Sequence, residues 1–337
     1  MVSRSALLVA QAALSGVLVA GVAAAQPAPT EAVPATPTDP VDAILDAFDS
    51  HSVVAMTEGL SHGHVQGHEL LVRLMNDPRF SAKVDDVVVE WGNSFYQSVI
   101  DRYTSGADVP YDELKQVWQT TSEDTMWDME VYEEFYRAVR LINASLPKER
   151  EIRVLLGDPP IDWSQVRREE EWEQFLPQQI TFPVTLITDE VIAKGRRALT
   201  VFGGGNYLGR DAFVRVLQRD EVSVFIVTAL PKDVAATVQR DVASWGVPAV
   251  ALLAGTTLGR APMSAYSDLE IAFPLEVLYD AVVVWPPRSE LMQSYLSPAL
   301  CVDAEYLEMR RTRMPWRSLE SAGLGHCLPA PRSDLSR

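Results

Sequence analysis

The sequence is poor in cysteine and in basic residues, and both shortages narrow the classes of protein it can belong to. It has two cysteines and therefore no cysteine-rich metal motif, and it also lacks a Walker loop. Its 29 lysines and arginines stand against 46 aspartates and glutamates, giving a net charge of −17. So acidic a chain repels phosphate backbones and anionic membrane surfaces, which disfavours nucleic acid as a partner.

The first 25 residues have the features of a secretory signal peptide. Arg4 is their only charged residue, Leu7–Val22 is apolar, and three alanines before Gln26 provide an A-x-A cleavage site. The sequence predicts removal of residues 1–25 and export to the periplasm or the extracellular space, without a stable membrane span after cleavage. An uncleaved anchor is the alternative. Residues 26–39 are rich in proline, alanine and threonine and predict a flexible leader.

Cys301 and Cys327 are the cysteines of this chain. In an exported protein an even pair can form a disulfide, which here would join the C-terminal tail to the last helix. Separation in sequence does not determine the distance between two Cα atoms, so two free thiols are the alternative.

Apolar, β-branched runs of strand length recur along the chain and are separated by helical patterns. Most are continuous rather than alternating in polarity, which is typical of strands buried on both faces of a parallel sheet. We therefore predict an α/β domain over residues 40–300, with a mostly parallel sheet, helices on both faces and helical insertions, followed by a C-terminal helix and tail over residues 301–337. The predicted strands are Ser52–Met56, Asp86–Val89, Ile152–Leu156, Ala198–Phe202, Val222–Thr228, Val247–Leu253 and Asp280–Trp285.

Helical patterns fill most of the stretches between these strands. Two acidic, tryptophan-containing segments, Ser122–Glu134 and Arg167–Gln179, interrupt the alternation and predict helical insertions over an edge or a cleft. The predicted helices are Val65–Asn76, Ser94–Ser105, Pro110–Thr121, Met126–Ser145, Asp189–Arg197, Arg210–Arg219, Pro231–Trp245 and Glu290–Leu296.

Polar side chains follow four of the predicted strands at the point where each strand ends. In an open α/β sheet, ligands bind beyond the carboxyl ends of the strands, and parallel strands bring those ends to one edge. We therefore expect these side chains to converge, although up to 148 positions separate them in sequence. They are Glu58, His62, Glu90, Asp158 and Asn206.

Each candidate also has a structural interpretation. Glu90 can cap the helix beginning near Ser94, and Asp158, which precedes two prolines, can brace a turn. The glycines at 203–205 can bring backbone N–H groups to an anion, or can allow close packing of strand and helix. From this region the predicted ligand-binding residues are Asp158, Gly204, Gly205, Asn206 and Arg210.

Three of the five histidines lie between Thr57 and Glu69. Imidazole is the most frequent metal ligand, and the i, i+4 spacing of His64 and His68 places both on one helix face. The pair predicts a metal site, for which two solvated surface histidines are the alternative. His62 lies nearer the strand end and is the preferred catalytic candidate.

These motifs resemble those of the superfamily that groups erythromycin-esterase-like hydrolases, ChaN-type haem-binding proteins and Tiki-type metalloproteases. The resemblance spans residues of about 42 to 300. VVAMTEGLSHGHVQGHELL resembles the first motif, VVVEWGNSFYQSVIDRY the second strand ending in glutamate, and ALTVFGGGNYLGR the later Gly-Gly-x-His segment. YDAVVVWPP resembles the last strand of uncharacterised bacterial members.

Two positions depart from the family pattern. Thr57 stands where the family has glycine, and Glu58 and His62 are one residue further apart than the family's Glu-x-x-His spacing. Asn206 stands where the later motif carries histidine, and asparagine cannot act as a base at neutral pH.

The resemblance implies three functions. The first is a hydrolase of esters, lactones or amides, in which His62 is the general base, Glu58 and Glu90 assist it, and a divalent metal can replace the missing histidine. The second is a binding protein for haem, a metal or a small molecule. The third is a family member that has lost catalysis through Asn206. In the second, an aromatic cover would form the pocket; its predicted residues are Trp118, Trp127, Tyr132, Tyr136 and Trp172.

Overall fold

The computed structural model describes residues 31–123, 125–207, 212–234, 236–265 and 273–316, together with three single residues of the C-terminal segment, Ser318, Leu324 and Cys327. The predicted signal peptide, Arg210 and about half of the predicted C-terminal segment lie outside the described residues. The elements below all belong to the unit that begins at Ala32.

All seven predicted strands are present and form one sheet. Every neighbouring pair is parallel except the last two strands in spatial order, which are antiparallel. The strands are β1 (Val53–Thr57), β2 (Asp86–Asn93), β3 (Arg153–Asp158), β4 (Ala198–Phe202), β5 (Val224–Pro231), β6 (Ala249–Leu252) and β7 (Ala281–Trp285). Their spatial order is β3-β2-β4-β1-β5-β7-β6.

Helices connect these strands, and among the described residues none is long and apolar enough to cross a bilayer. The α-helices are α1 (Pro40–Ala47), α2 (Val65–Asn76), α3 (Phe80–Lys83), α4 (Gln97–Thr104), α5 (Tyr111–Leu114), α6 (Gln116–Gln119), α7 (Glu130–Asn143), α8 (Glu169–Glu173), α9 (Gln178–Glu190), α10 (Phe213–Arg219), α11 (Ala236–Val242), α12 (Thr257–Arg260), α13 (Leu275–Leu278) and α14 (Ala304–Arg313).

The sheet is buried on both faces, as the continuous apolar runs predict. Because successive side chains of a strand point to opposite faces, Val54 and Met56 of β1 pack into one core while Val53 and Ala55 pack into the other. Helices α1, α2, α4 and α7 cover the first face. Helices α9, α10 and α11 cover the second. The fold is thus α/β with a mostly parallel sheet.

Two predicted helices are wrong. Asp189–Arg197 is replaced by α9, which ends at Glu190, and Gly195 then adopts a left-handed conformation with φ of +65°. The sequence pattern missed α9 because Pro183 lies inside it. Glu290–Leu296 is mainly extended, because its backbone pairs with the loop before α2: Val65 N–H donates to Met292 O at 3.0 Å and Ser294 N–H to Gly63 O at 2.8 Å.

The C-terminal part of the predicted flexible leader is paired with the sheet edge. Val33 N–H donates to Gly255 O at 3.1 Å, and Thr38 exchanges two backbone hydrogen bonds with Val250 of β6 at 2.8 and 2.9 Å. These bonds cover the outer side of an edge strand, which would otherwise leave its backbone groups open to another chain. The leader is therefore bound to the domain at Val33 and Thr38.

The two cysteines form a disulfide, with their Cα atoms 4.7 Å apart. The bond joins Cys301, just before α14, to Cys327 beyond it. Helix α14 is further held by a buried ion pair between Arg310 and Asp128, so this C-terminal helix packs against the insertion that precedes α7. That insertion also contributes to the site described next.

Candidate functional site

The sheet order brings the four polar strand ends together. Glu58 follows β1, Glu90 lies within β2, Asp158 ends β3, and Asn206 follows β4. These four strands are direct neighbours in the order β3-β2-β4-β1, and they are parallel, so their carboxyl ends share one edge. The register between β2 and β3 shifts after Val89, and such irregularities commonly redirect a side chain next to a site.

Glu58 is the centre of a buried hydrogen-bond network. Its Oε2 lies 2.8 Å from His62 Nδ1. Its Oε1 accepts from Gly63 N–H at 2.7 Å, and it lies 2.9 Å from His68 Nε2 and 2.8 Å from the Tyr132 hydroxyl. Burial opposes ionisation of this carboxyl, but the hydrogen bonds from the two histidines prevail and lower the pKa of Glu58 to about 2. Glu58 is therefore an ionised acceptor.

His62 is oriented by this carboxylate. Because Glu58 accepts at Nδ1, the neutral ring keeps its proton there and presents Nε2 as a free base. The side chain is 31% exposed, and Trp127 packs edge to face with it at 4.8 Å between ring centroids. Burial alone would lower the pKa of His62, but the bond to Glu58 and the charges of Glu90 and Glu58 raise it. An oriented imidazole of raised basicity is suited to accept a proton.

Glu90 faces His62 across Gly203. The position that a Cβ of residue 203 would occupy is 2.8 Å from His62 Nε2 and 3.2 Å from Glu90 Oε2. His62 Nε2 and Glu90 Oε2 therefore lie close to each other, on either side of that position. Gly203 N–H and the Asn206 amide donate to the Glu90 carboxyl at 2.5 and 2.8 Å. Burial raises the pKa of Glu90, and the His62 charge and these two donors offset the shift only in part. Glu90 is thus prone to hold a proton.

Asp158 lies on the far side of Glu90 and bonds to the first insertion. Its carboxyl accepts from Ser122 N–H at 2.8 Å and also from the Ser122 hydroxyl. Burial raises the pKa of Asp158 well above its ordinary value, and the charges of Glu123 and Glu90 add to the rise. The prediction that Asp158 braces a local structure and the prediction that it faces the site are therefore both compatible with its position.

The two predicted insertions meet over these strand ends. The Gln179 amide donates to Ser122 Oγ and to Glu123 Oε1, each at 2.8 Å, and Trp172 Nε1–H donates to Ser122 O at 2.8 Å. Together they enclose a narrow cleft with a volume of about 10 Å³, which is on the order of one water molecule. Its lining residues are Glu90, Glu123, Trp127, Gly157, Asp158, Gln179 and Phe202.

Two residues of this site, Glu123 and Gln179, were not predicted, and both come from the insertions. Trp127 and Tyr132 were predicted as part of an aromatic cover, and Tyr132 reaches Glu58 from α7. Only the acidic and tryptophan-rich composition of the insertions indicated that they cover a cleft. Nothing in the sequence indicated which of their side chains turn inward.

The three glycines after β4 differ in how much space surrounds them. A Cβ on Gly203 would collide with the His62 ring, at 2.4 Å from Cε1, whereas a Cβ on Gly204 or Gly205 would meet nothing within 4 Å. Close packing of strand and helix therefore does not explain Gly204 and Gly205, whose predicted role in ligand binding stays a prediction. Arg210 lies outside the described residues.

His64 and His68 are both buried, so the interpretation of them as solvated surface histidines is wrong. His64 is 1% exposed, packs edge to face on Trp285 and has its pKa lowered by burial. His68 is 6% exposed and turns its Nε2 toward Glu58. Within the described ranges, no group of three or more His, Cys, Asp or Glu residues is arranged to hold a metal ion. The predicted metal role of His64 and His68 therefore stays a prediction, and no step is assigned to a metal.

The aromatic residues predicted to cover a cofactor are buried in the core, and one of them, Trp127, also lines the cleft. Tyr136 donates to Trp91 O at 2.7 Å, and Tyr132 donates to Glu58, so both hydroxyls bind protein groups. The cleft, at about 10 Å³, is far smaller than the roughly 300–1,000 Å³ of ordinary cofactor pockets. Haem binding by this protein stays a prediction. The predicted aromatic residues, all less than 9% exposed, are Trp118, Trp127, Tyr132, Tyr136 and Trp172.

Replacing Gly203 by alanine is expected to displace His62. The added methyl group meets the imidazole at 2.4 Å, so the ring must leave its bond with Glu58 or shift toward Trp127. We expect the pKa of His62, measured by NMR titration, to fall toward its ordinary value, and any His62-dependent turnover to fall roughly 10²-fold, as misplacement by about 1 Å does elsewhere. Gly204→Ala is the matched control, since its methyl group enters open space. Equal titration of His62 in both variants would contradict this geometry.

Comparison with known proteins gives only distant likenesses. No family model and no curated protein matches the chain. Three solved structures are similar to it. The type III effector HopBA1 shares 12% identity at a TM-score of 0.42, covering 77% of this chain and all of that one. A crystal structure of a Bacillus cereus protein shares 9% at 0.49, covering 80% and 95%. ChaN of Campylobacter jejuni, described with cofacial haem binding, shares 13% at 0.37, covering 56% and 84%. Such values concern the fold and identify no function.

Proposed function

We propose that this protein is a hydrolase that uses His62 as a general base against an ester, lactone or amide. The observation that carries the proposal is the Glu58–His62 pair: a buried, ionised carboxylate bonded to Nδ1 at 2.8 Å leaves Nε2 available next to Gly203 and Glu90. A base held in one tautomer by a third group is the arrangement that activates a nucleophile. The resemblance of the first motif to erythromycin-esterase-like hydrolases implies the same role.

In this proposal the nucleophile is water. His62 Nε2 takes a proton from a water molecule as it attacks the substrate carbonyl carbon, and Glu58 stabilises the imidazolium that forms. Glu90, which holds a proton more readily than an ordinary glutamate, gives it to the leaving oxygen or nitrogen. Two neighbouring groups whose environments move their pKa values in opposite directions, here Glu58 and Glu90, are a pattern suited to acid and base roles.

Asn206 does not disturb the pair formed by Glu58 and His62. Its side-chain amide donates to Glu90 at 2.8 Å and makes no contact with Glu58, so the histidine that it replaces is not needed to orient His62. Asn206 instead stabilises one position of the Glu90 carboxyl. This contact favours catalysis over the interpretation of the chain as a member that lost its reaction.

We also propose that the protein acts after export, in the periplasm or outside the cell. The signal-peptide features of residues 1–25 support export, and the disulfide between Cys301 and Cys327 supports an oxidising compartment. The net charge of −17 is consistent with a small-molecule substrate rather than nucleic acid.

The direct test is a screen of the mature protein with small esters, lactones and amides. We expect turnover of at least one class, and its dependence on His62 decides the assignment. If no compound in such a panel is turned over by the wild-type protein at any pH between about 5 and 9, the proposal fails.

Glu90→Gln is expected to change the pH dependence of kcat/KM in a defined way. Neutral His62 is needed as base, so the wild-type rate falls as the pH drops through a His62 pKa above 6.5. Protonated Glu90 is needed as acid, so the rate also falls as the pH rises through its elevated pKa, and the profile is a bell. Glutamine cannot lose a proton and removes a negative charge from beside His62. The alkaline limb should therefore disappear and the acidic limb should move to lower pH. A bell that keeps its alkaline limb in this variant would assign the proton to another group.

A further inference from the structure

A second cavity lies between α2 and α7, apart from the cleft at the strand ends. This groove has a volume of about 450 Å³ and is lined mainly by apolar side chains, among them Val65 and Val72 of α2 and Val131, Phe135 and Ala138 of α7. Its size falls in the range of roughly 300–1,000 Å³ that small-molecule sites occupy. The proposed reaction uses none of these side chains.

The charges around the groove favour a cation. Glu69 on α2 and Glu134 on α7 line the groove, both are exposed, and neither takes part in an ion pair within the described ranges. The one basic side chain in the lining, Arg73, is paired with Asp39 at 2.5 Å. A negatively charged ligand would therefore meet two uncompensated carboxylates, whereas a positively charged one would pair with them.

His68 supplies a second, independent sign of a ligand. It lines the groove and is 6% exposed, and its Nε2 donates to the ionised Glu58. The other ring nitrogen, Nδ1, is buried and has no hydrogen-bond partner within the described ranges. Buried polar groups normally have a partner, so a donor brought to this part of the groove would supply one.

We propose that this groove binds a small amphiphilic amine, with its alkyl or aryl body between α2 and α7 and its ammonium group at the two glutamates. The apolar lining accounts for the body, and the uncompensated carboxylates account for the charge. The site is separate from the proposed hydrolysis and does not depend on it. Because His68 joins the groove to Glu58, an occupied groove changes the surroundings of the Glu58–His62 pair.

The test is binding of hexylamine to the mature protein, measured by calorimetry and by NMR of the histidine rings. Hexan-1-ol and hexanoate are the neutral and anionic probes of matched length. We expect hexylamine to bind roughly fivefold to tenfold more tightly than hexan-1-ol, the range expected of two exposed charge pairs, and hexanoate to bind more weakly than either. We also expect the resonances of His68 to shift on binding while those of His51, outside the groove lining, do not.

Two variants locate the site. Ala138→Trp places a large side chain in the groove wall and should abolish binding, and the double change Glu69→Gln with Glu134→Gln should remove the preference for the amine over the alcohol. The control is Glu149→Gln with Glu305→Gln, which makes the same change in charge at exposed positions outside the groove lining. Absence of hexylamine binding, or binding that is equal in the tryptophan variant, overturns the proposal whether or not the protein hydrolyses esters.

Discussion

Replacing His62 by alanine is expected to reduce kcat/KM for hydrolysis by roughly 10²- to 10⁴-fold, the usual contribution of a general base. The side chain packs against Trp127 and is 31% exposed, so its removal leaves no large cavity. Its carboxylate partner keeps three other donors, which are the Gly63 backbone, His68 and the Tyr132 hydroxyl. The loss should therefore appear in turnover and not in folding.

The measurement pairs steady-state kinetics with urea unfolding of the same samples. His51→Ala is the matched control, because His51 contacts the end of α1 and lies outside the site. We expect this control to keep wild-type turnover. If His62→Ala retains turnover while its free energy of unfolding is unchanged, His62 is not the base, and the proposed mechanism is wrong.

Replacing Glu58 by glutamine is expected to lower the free energy of unfolding by about 3 kcal/mol near neutral pH, as breaking other buried charged pairs does. The carboxylate is 3% exposed and accepts from four donors. A glutamine side chain offers one acceptor oxygen, and its NH₂ group would face a donor that it cannot satisfy. Urea unfolding at neutral pH measures the effect.

The loss of stability in Glu58→Gln is also expected to depend on pH. The folded-state pKa of Glu58, about 2, lies below its ordinary value of 4.5, so its stabilisation is complete above that value and is lost as the pH falls toward 2. The difference in unfolding free energy between wild type and Glu58→Gln should therefore shrink as the pH is lowered from about 5 to about 3. Glu69→Gln, an exposed position on α2 without an ion pair, should change stability by less than about 0.5 kcal/mol at every pH. A constant difference across this range would mean that the ionised form of Glu58 is not what stabilises the fold.

The strands could be predicted because each is a local, continuous apolar run. All seven appear in the sheet, and α2 has the predicted bounds, Val65–Asn76. The errors arose where distant contacts overrule local pattern. Residues 290–296 have helical composition, yet their backbone pairs with residues 63–65, more than 220 positions away. No local signal reports such a partner.

The candidate site shows the same contrast between local sequence patterns, which could be read, and distant contacts, which could not. Glu58, His62, Glu90 and Asp158 were found because strand ends can be read from sequence and parallel strands share an edge. Glu123 and Gln179 were not predicted as site residues, since they come from insertions whose inward positions depend on packing. Trp127 and Tyr132 were expected as part of an aromatic cover, but the contact of Tyr132 with Glu58 was not predicted. His64 shows the limit most clearly: its spacing from His68 suggested a metal site, but it packs against Trp285 of β7 instead.

The sequence by itself determined the α/β class, the seven strands and the set of polar residues at their ends, because these follow from hydrophobic pattern and from the geometry of parallel strands. It left open whether Cys301 and Cys327 are bonded, which histidines are buried and what the aromatic residues cover. Only the tertiary structure decided these, since each depends on which segments meet in space. Glu58 became the centre of the site because the loop after β1, helix α2 and helix α7 all direct donors to one carboxylate.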